Sequence, residues 1–448
     1  MRCRPRLWAP LVVAPLFLPS YAAYSGWGLL RSPGTAPANW LAGAPEWVVT
    51  LVSEGLAIWG LALWAWPIGA LVLVAWIWRI DPALLDVMRL DPIGLRRRLA
   101  LRGAMLLPGL TRAALIIFLV MLGSAVPLHV AQVDTYAIRI WTDLALHPAP
   151  VVLLGSWPLL LIAASVAAIV AWRIDAGGSI ARIGGPVRVG RWTHALSALI
   201  WAASVIAPAA LFLFIGMRNP STGAYRFEAL ARFWSELGGA MTDSLLIGLL
   251  TGAGGALIAL GVWAALDARS RLARATIALL VLGALTPGVL VGSAVQGAYA
   301  LPVLRPIGES VWAVALAHLA RFGLLAALGA WWLARSEPRQ LADLRRLEPN
   351  PSLARWWLMA HHRSTGGILG IAVLMGVLSF HEIEAAIMAL PAGVESYPQR
   401  MLQLLHFQRE DMLSAGALYG MGLGLLGSIA AALCLGAALR ARSPTTAP

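Results

Sequence analysis

What most constrains this chain is a rhythm of apolar stretches about 20 residues long, broken by short segments rich in arginine. A soluble core has no use for so many such stretches, whereas each matches the hydrocarbon thickness of a bilayer when helical. In lipid every backbone polar group needs an internal partner, so the spans must be α-helices. Hydrophobic residues make up 59% of the 448 and charged residues 12%, about half the charged share of globular domains. The fold expected is therefore all-α, a polytopic membrane protein.

Ten spans are expected, roughly at 7–30, 53–78, 105–130, 150–172, 193–217, 239–266, 275–298, 309–333, 366–390 and 413–439. Residues 42–52 read as an interfacial segment before the second. The N-terminal "MRCRPRLWAPLVVAPLFLPSYAAYSGWGLL" has the basic head and apolar body of a signal peptide. Its apolar run is too long for one and lacks a small-x-small exit, so it reads as a retained first span.

All 34 basic residues are arginine. With the N-terminus inside, 24 of them fall in cytoplasmic segments and 8 in external ones, with Arg112 and Arg321 inside spans. That bias places both termini in the cytoplasm and the chain in the inner (plasma) membrane as a multi-pass protein. The net charge of +13 is scattered between spans, so it reads as orientation and lipid contact rather than nucleic-acid binding. Without lysine there is no Walker site and no Schiff-base chemistry; no enzyme activity and no cofactor of its own is expected. Cys3 and Cys434 make no disulfide framework. The histidines show no metal-ligand spacing, and no metal site is expected.

The polar island "RIDPALLDVMRLDP" at 79–92 returns in altered form as "RSEPRQLADLRRLEP" at 335–349. Each follows a span ending in tryptophan. Further correspondences lie on either side. "TYAIRIW" (135–141) matches "SYPQRML" (396–402), Ser124 and Ser379 lie at similar depth, and Pro19 aligns with Pro287. Four crossings match four crossings, so the copies share one orientation, a parallel repeat about an axis along the membrane normal. Two extra spans lead the second copy, giving unequal halves of four and six. The expected organisation is a first repeat over 1–175, a cytoplasmic linker over 176–192 and a second repeat over 193–448.

Within the islands, Pro82 and Pro338 suit a first helical turn. Leu84, Leu85 and Met88 in one, and Leu341 and Leu344 in the other, have helical spacing. Each island is thus a short amphipathic helix at the cytoplasmic surface, docked on a partner or lying on anionic lipid. Two equivalent helices suit a partner that is itself two-fold symmetric. Ionisable residues inside spans are costly and mark functional positions; Glu54, Asp243, Arg112, Arg321, Glu382 and Glu384 are the set. Arg321, one turn from His318, calls for a carboxylate across the bundle. Proline breaks such as Pro19 and Pro287 can serve as hinges beside a pathway.

These stretches resemble the permease subunits of binding-protein-dependent ABC importers of the type I architecture. The nearest group is the fused two-half permeases of the ferric-iron and thiamine type. "PALLDVMRLDPIGLRRRLALRGAMLLPGL" and "PRQLADLRRLEPNPSLARWWLMAHHRS" are similar to the family's cytoplasmic coupling loop. "LTPGVLVGSAV" and "LSFHEIEAAIMALPAGVESYPQRMLQLLHFQREDMLSAGAL" resemble its Pro-Gly span and its C-terminal signature. Neither loop carries the family's Ala-Ala pair, and Pro92 and Pro349 occupy the neighbourhood of its glycine. The resemblance implies a small solute, ferric iron or a related ligand, handed over by an external solute-binding protein. It implies ATP bound by a separate cytoplasmic ATPase dimer. The coupling residues it implies are Pro82, Leu85, Asp86, Arg89, Leu90, Pro338, Leu341, Asp343, Arg345 and Leu347. Pathway or gate candidates are Glu54, Pro19, Pro287, Glu382 and Glu384. Two rival expectations are an ion-coupled secondary transporter, which needs acids deep in the bundle, and a non-transporting scaffold.

Overall fold

The computed structural model describes residues 12–77, 80–81, 94–173, 191–219, 221–267, 271–337, 340, 343, 347, 355 and 364–442. The described residues are helical throughout, apart from loops and one isolated bridge between Arg218 and Tyr225. We label the principal helices α1 (Glu46–Ile77), α2 (Leu95–Leu122), α3 (Tyr136–Leu146), α4 (Glu228–Asp267) and α5 (Arg271–Leu285). They continue as α6 (Gly288–Tyr299), α7 (Val311–Ser336), α8 (Thr365–Phe380), α9 (Tyr397–His406) and α10 (Glu410–Arg442).

Among the described residues six helices are long and apolar enough to cross a bilayer, or up to eight when each of two bent pairs is one span. The chain is a multi-pass, all-helical protein of membrane character. The bent pair within 150–172 departs from the single run expected there, whereas the pair within 275–298 breaks at Pro287, where the sequence predicts a break. Ala149–Gly155 meets Trp157–Trp172 at 67°, and α5 meets α6 at 115°. Pro287 causes the second break, because it has no N–H to continue the ladder and sits extended, with ψ 135°, at the start of α6. Pro19 acts likewise between a short turn at Ala14–Phe17 and the Ser20–Gly28 helix. The carbonyl this break frees, on Leu18, accepts from Trp64 Nε1 of α1 at 3.0 Å.

The interfacial segment expected at 42–52 is not separate. Its residues from Glu46 onward run into α1 as one helix. The runs expected at 105–130 and 366–390 are also broken, at Leu122 and Phe380, and each break is followed by a short helix, Val126–Val130 and Ala386–Ala389. Both breaks matter for the site.

Helix α4 packs along α7 and α8, and α8 along α10, forming the best-packed part of the molecule. The approach of α4 and α8 depends on small residues. A Cβ on Gly252 would stand 2.6 Å from the Ala372 carbonyl oxygen, and one on Gly248 2.8 Å from that of Gly376. This is the small-residue packing that lets helix backbones meet in lipid, where no hydrophobic force draws helices together. By contrast α2 packs on α1 and presents Leu107, Leu110, Leu115 and Phe118 outward. The first part of the chain joins the second through Trp157–Arg173, which packs on α5, and through Ser20–Gly28, which packs on Ile206–Leu211.

Candidate functional site

The breaks after α2 and α8 meet at the bend between α5 and α6, and an ionic knot forms there. Arg321 projects from α7. Its Nε lies 3.3 Å from Glu382 Oε1, and its Nη2 lies 2.8 Å from Glu384 Oε2. The three side chains are 14%, 10% and 4% exposed. The other oxygen of Glu384 accepts from Ser124 Oγ at 3.0 Å and from the backbone N–H groups of Ala125 and Val126 at 2.7 and 3.2 Å. Those N–H groups open the Val126–Val130 helix and would otherwise be orphaned. Glu382 Oε1 accepts from Ala385 N at 3.1 Å.

Gly288 closes the arrangement. A Cβ there would stand 2.5 Å from Arg321 Nη1 and 2.6 Å from Glu384 Cβ. The bend at Pro287 can approach the knot only because residue 288 has no side chain. With both carboxyls ionised the knot holds two negative charges against one positive. Burial makes that imbalance expensive, and the backbone N–H groups offset part of it.

A second polar chain lies one turn away. His318 Nδ1 is 2.6 Å from Ser379 Oγ, which donates to Thr251 Oγ1 at 3.0 Å. Thr251 in turn donates to the Ile247 carbonyl at 2.8 Å. Each hydroxyl proton is thereby spent, so Ser379 must accept from His318 Nδ1–H. The Nε2 lone pair is then left buried and without a partner. Thr251, His318, Arg321, Ser379, Glu382, Glu384 and Ser124 thus gather from five segments of the chain.

Of the pathway candidates, Glu382, Glu384 and Pro287 come together, whereas Pro19 lies at its own break. Glu54 lies elsewhere, exposed on α1; the helix starts at Glu46, so Glu54 falls within its first turns and lines no interior. Asp243 is half-buried and accepts from Glu395 N at 3.4 Å. Arg112 stacks over Trp76, its carbon 4.2 Å from the ring centroid. Among the coupling residues, Asp343 and Leu347 are helical and exposed, Leu347 by 78%. Pro82, Leu85, Asp86, Arg89, Leu90, Pro338, Leu341 and Arg345 lie outside the described residues. The sequence reading missed Gly288 and the Ala125–Val126 amides. The one available signal was Gly following Pro in "LTPGVL", which marks a turn with room for close approach.

Compared with family models, with curated proteins and with solved structures, the chain finds no match in any of the three.

Proposed function

We propose that the chain is the membrane-spanning subunit of a binding-protein-dependent ABC importer. It passes a small solute between two like-oriented halves under the power of a separate cytoplasmic ATPase dimer. The observation that carries this reading is the knot: Glu384 of the second half seats the first half's broken helix, at the bend made by Pro287. A transporter needs helix breaks and costly charges where its halves meet, and tolerates them there because they line the route.

The repeat is supported by element order. In each half a proline break precedes a long helix ending near tryptophan (α1, α7). A further helix (α2, α8), a short one and an amphipathic one (α3, α9) follow, and then a last span. Even the caps correspond, with Thr135 accepting from Ile138 N and Ser396 from Gln399 N. The energy source rests on the two cytoplasmic islands and their resemblance to coupling loops. Pull-down of the tagged chain from its native membrane tests it. The wild type should bring down an ATPase, and Asp86→Arg with Asp343→Arg should lose it. Equal recovery from both would remove the docking helices from the account.

One observation favours a second reading, an ion-coupled secondary transporter: the knot carries an unbalanced buried carboxylate. The purified chain alone moving solute against a proton gradient in liposomes, with no ATPase present, would establish that reading instead.

A further inference from the structure

Helices α3 and α9, with the short helices before them, enclose a cleft of about 370 Å³ separate from the knot. Its lining includes His129, Trp141, Ile387, Gln399, Gln403 and His406. Ile387 belongs to the Ala386–Ala389 helix that follows Glu384, so one short helix links the cleft to the knot along the chain.

The chemistry of the lining is one-sided. No carboxylate lines the cleft among the described residues. The Gln403 carbonyl oxygen is taken by Arg400 Nη1 at 2.9 Å, which leaves the NH2 end of that amide to donate. The His129 and His406 rings meet edge to face with centroids 5.7 Å apart, and His129 also meets Trp141 at 5.4 Å. Two imidazolium groups so close repel each other, and an anion that accepts from a nitrogen of each would offset that repulsion.

We propose that this cleft is a binding subsite for a small oxyanion, a carboxylate or phosphate group, gripped by both imidazoles and the Gln403 amide while Trp141 covers its apolar part. The assignment names a solute class for the transport reading and rests on that reading only for its purpose, not for its binding. It also differs from ferric iron, for which a lining without carboxylates is a poor match.

Charged groups on the elements around the imidazoles are engaged elsewhere. Arg400 pairs with Glu395, Arg409 with Glu236, and Asp411 with Arg226 and Arg232, while Glu410 accepts from Ser32. Arg139 and Asp143 sit on α3 outside the lining. In the free protein the His129 pKa is pushed down, first by burial and then by the charge of His406. A bound anion raises it, so binding takes up a proton. Affinity is then greatest at low pH and is lost as pH rises through the imidazole range of the complex.

The test uses the full chain in phosphatidylcholine nanodiscs, titrated with inorganic phosphate and with malonate. Calorimetry reads affinity, and protection of His406 from diethyl pyrocarbonate reads location. Saturable binding is expected, tightening by up to about tenfold per pH unit for each proton taken up as pH falls from about 8 to about 6. His406→Gln, at an exposed position, should keep the fold and flatten that dependence, and His129→Gln added to it should abolish binding. Nanodiscs containing phosphatidylglycerol separate the sources: protection by that lipid alone would assign the same oxyanion site to a headgroup. Equal binding of tetramethylammonium, no protection by any of the three anions, or unchanged affinity in the double variant would overturn the proposal. A chain that brings down its ATPase yet binds no anion would lose the subsite and keep the transport reading. Binding without an ATPase would do the reverse.

Discussion

Glu384 Oε1 lies 2.7 Å from the backbone nitrogen of Ala125, 259 residues earlier in the chain. One carboxylate thereby caps the start of the Val126–Val130 helix while its other oxygen holds Arg321 of α7 at 2.8 Å. Three segments depend on a single side chain.

Removing the cation from this knot should be severe. Arg321→Met leaves two buried carboxylates facing each other, and breaking a buried pair costs about 3–5 kcal/mol. The thermal midpoint of the detergent-solubilised variant should fall far below wild type. Adding Glu382→Gln and Glu384→Gln should restore most of it, because each amide keeps an acceptor oxygen for the N–H groups. A triple variant no better than Arg321→Met would show that charge is not what the knot balances.

The α4–α8 contact should tolerate no side chain at Gly252. Gly252→Val places methyl groups where the Ala372 carbonyl stands, and overpacking of this kind costs about 1–3 kcal/mol. Gly239, on the same helix but with nothing within 4 Å of an added Cβ, supplies the control. Gly239→Ala should be neutral or gain about 0.5–1 kcal/mol from reduced chain entropy. Thermal unfolding of both variants compares the two sites directly.

The His318–Ser379–Thr251 relay should behave as a unit. Ser379→Ala leaves the His318 Nδ1–H without an acceptor, a loss of about 1–3 kcal/mol. Thr251→Val removes only the next link. A double-mutant cycle on thermal stability should give a double loss smaller than the sum of the singles, since the relay is already cut. Strict additivity would mean that Ser379 and Thr251 do not interact.

Orientation is open to labelling. In a background with Cys3→Ser and Cys434→Ser, cysteines at Val303 and Phe407, 82% and 76% exposed, should react with a membrane-impermeant maleimide from outside intact cells. A cysteine at Leu347 should react only after permeabilisation. Labelling of Leu347 and Phe407 from the same side would overturn the topology.

The apolar runs made the helices legible, because lipid leaves the backbone no other way to satisfy its hydrogen bonds. Pro19 and Pro287 were legible as breaks for the same backbone reason. The 115° bend was not, since its angle depends on Gly288 meeting Arg321 and Glu384, contacts made across the bundle. Arg321 announced its need for a carboxylate through the cost of burying it, but not which one, since its partners lie 61 and 63 positions away. Glu54 misled because α1 is apolar on all sides, and in lipid such a helix gives no stripe to tell inside from outside. The cleft was invisible for a further reason: His129 falls at the end of an expected span and His406 in a loop, 277 positions apart, and only α3 and α9 bring them together.

The most direct test of the account is the mass of the intact complex. Native mass spectrometry of the tagged chain, purified from its own membrane in mild detergent, should show one copy of this chain with two copies of one ATPase. The chain recovered alone, or only with copies of itself, under conditions that preserve other such assemblies, would contradict it.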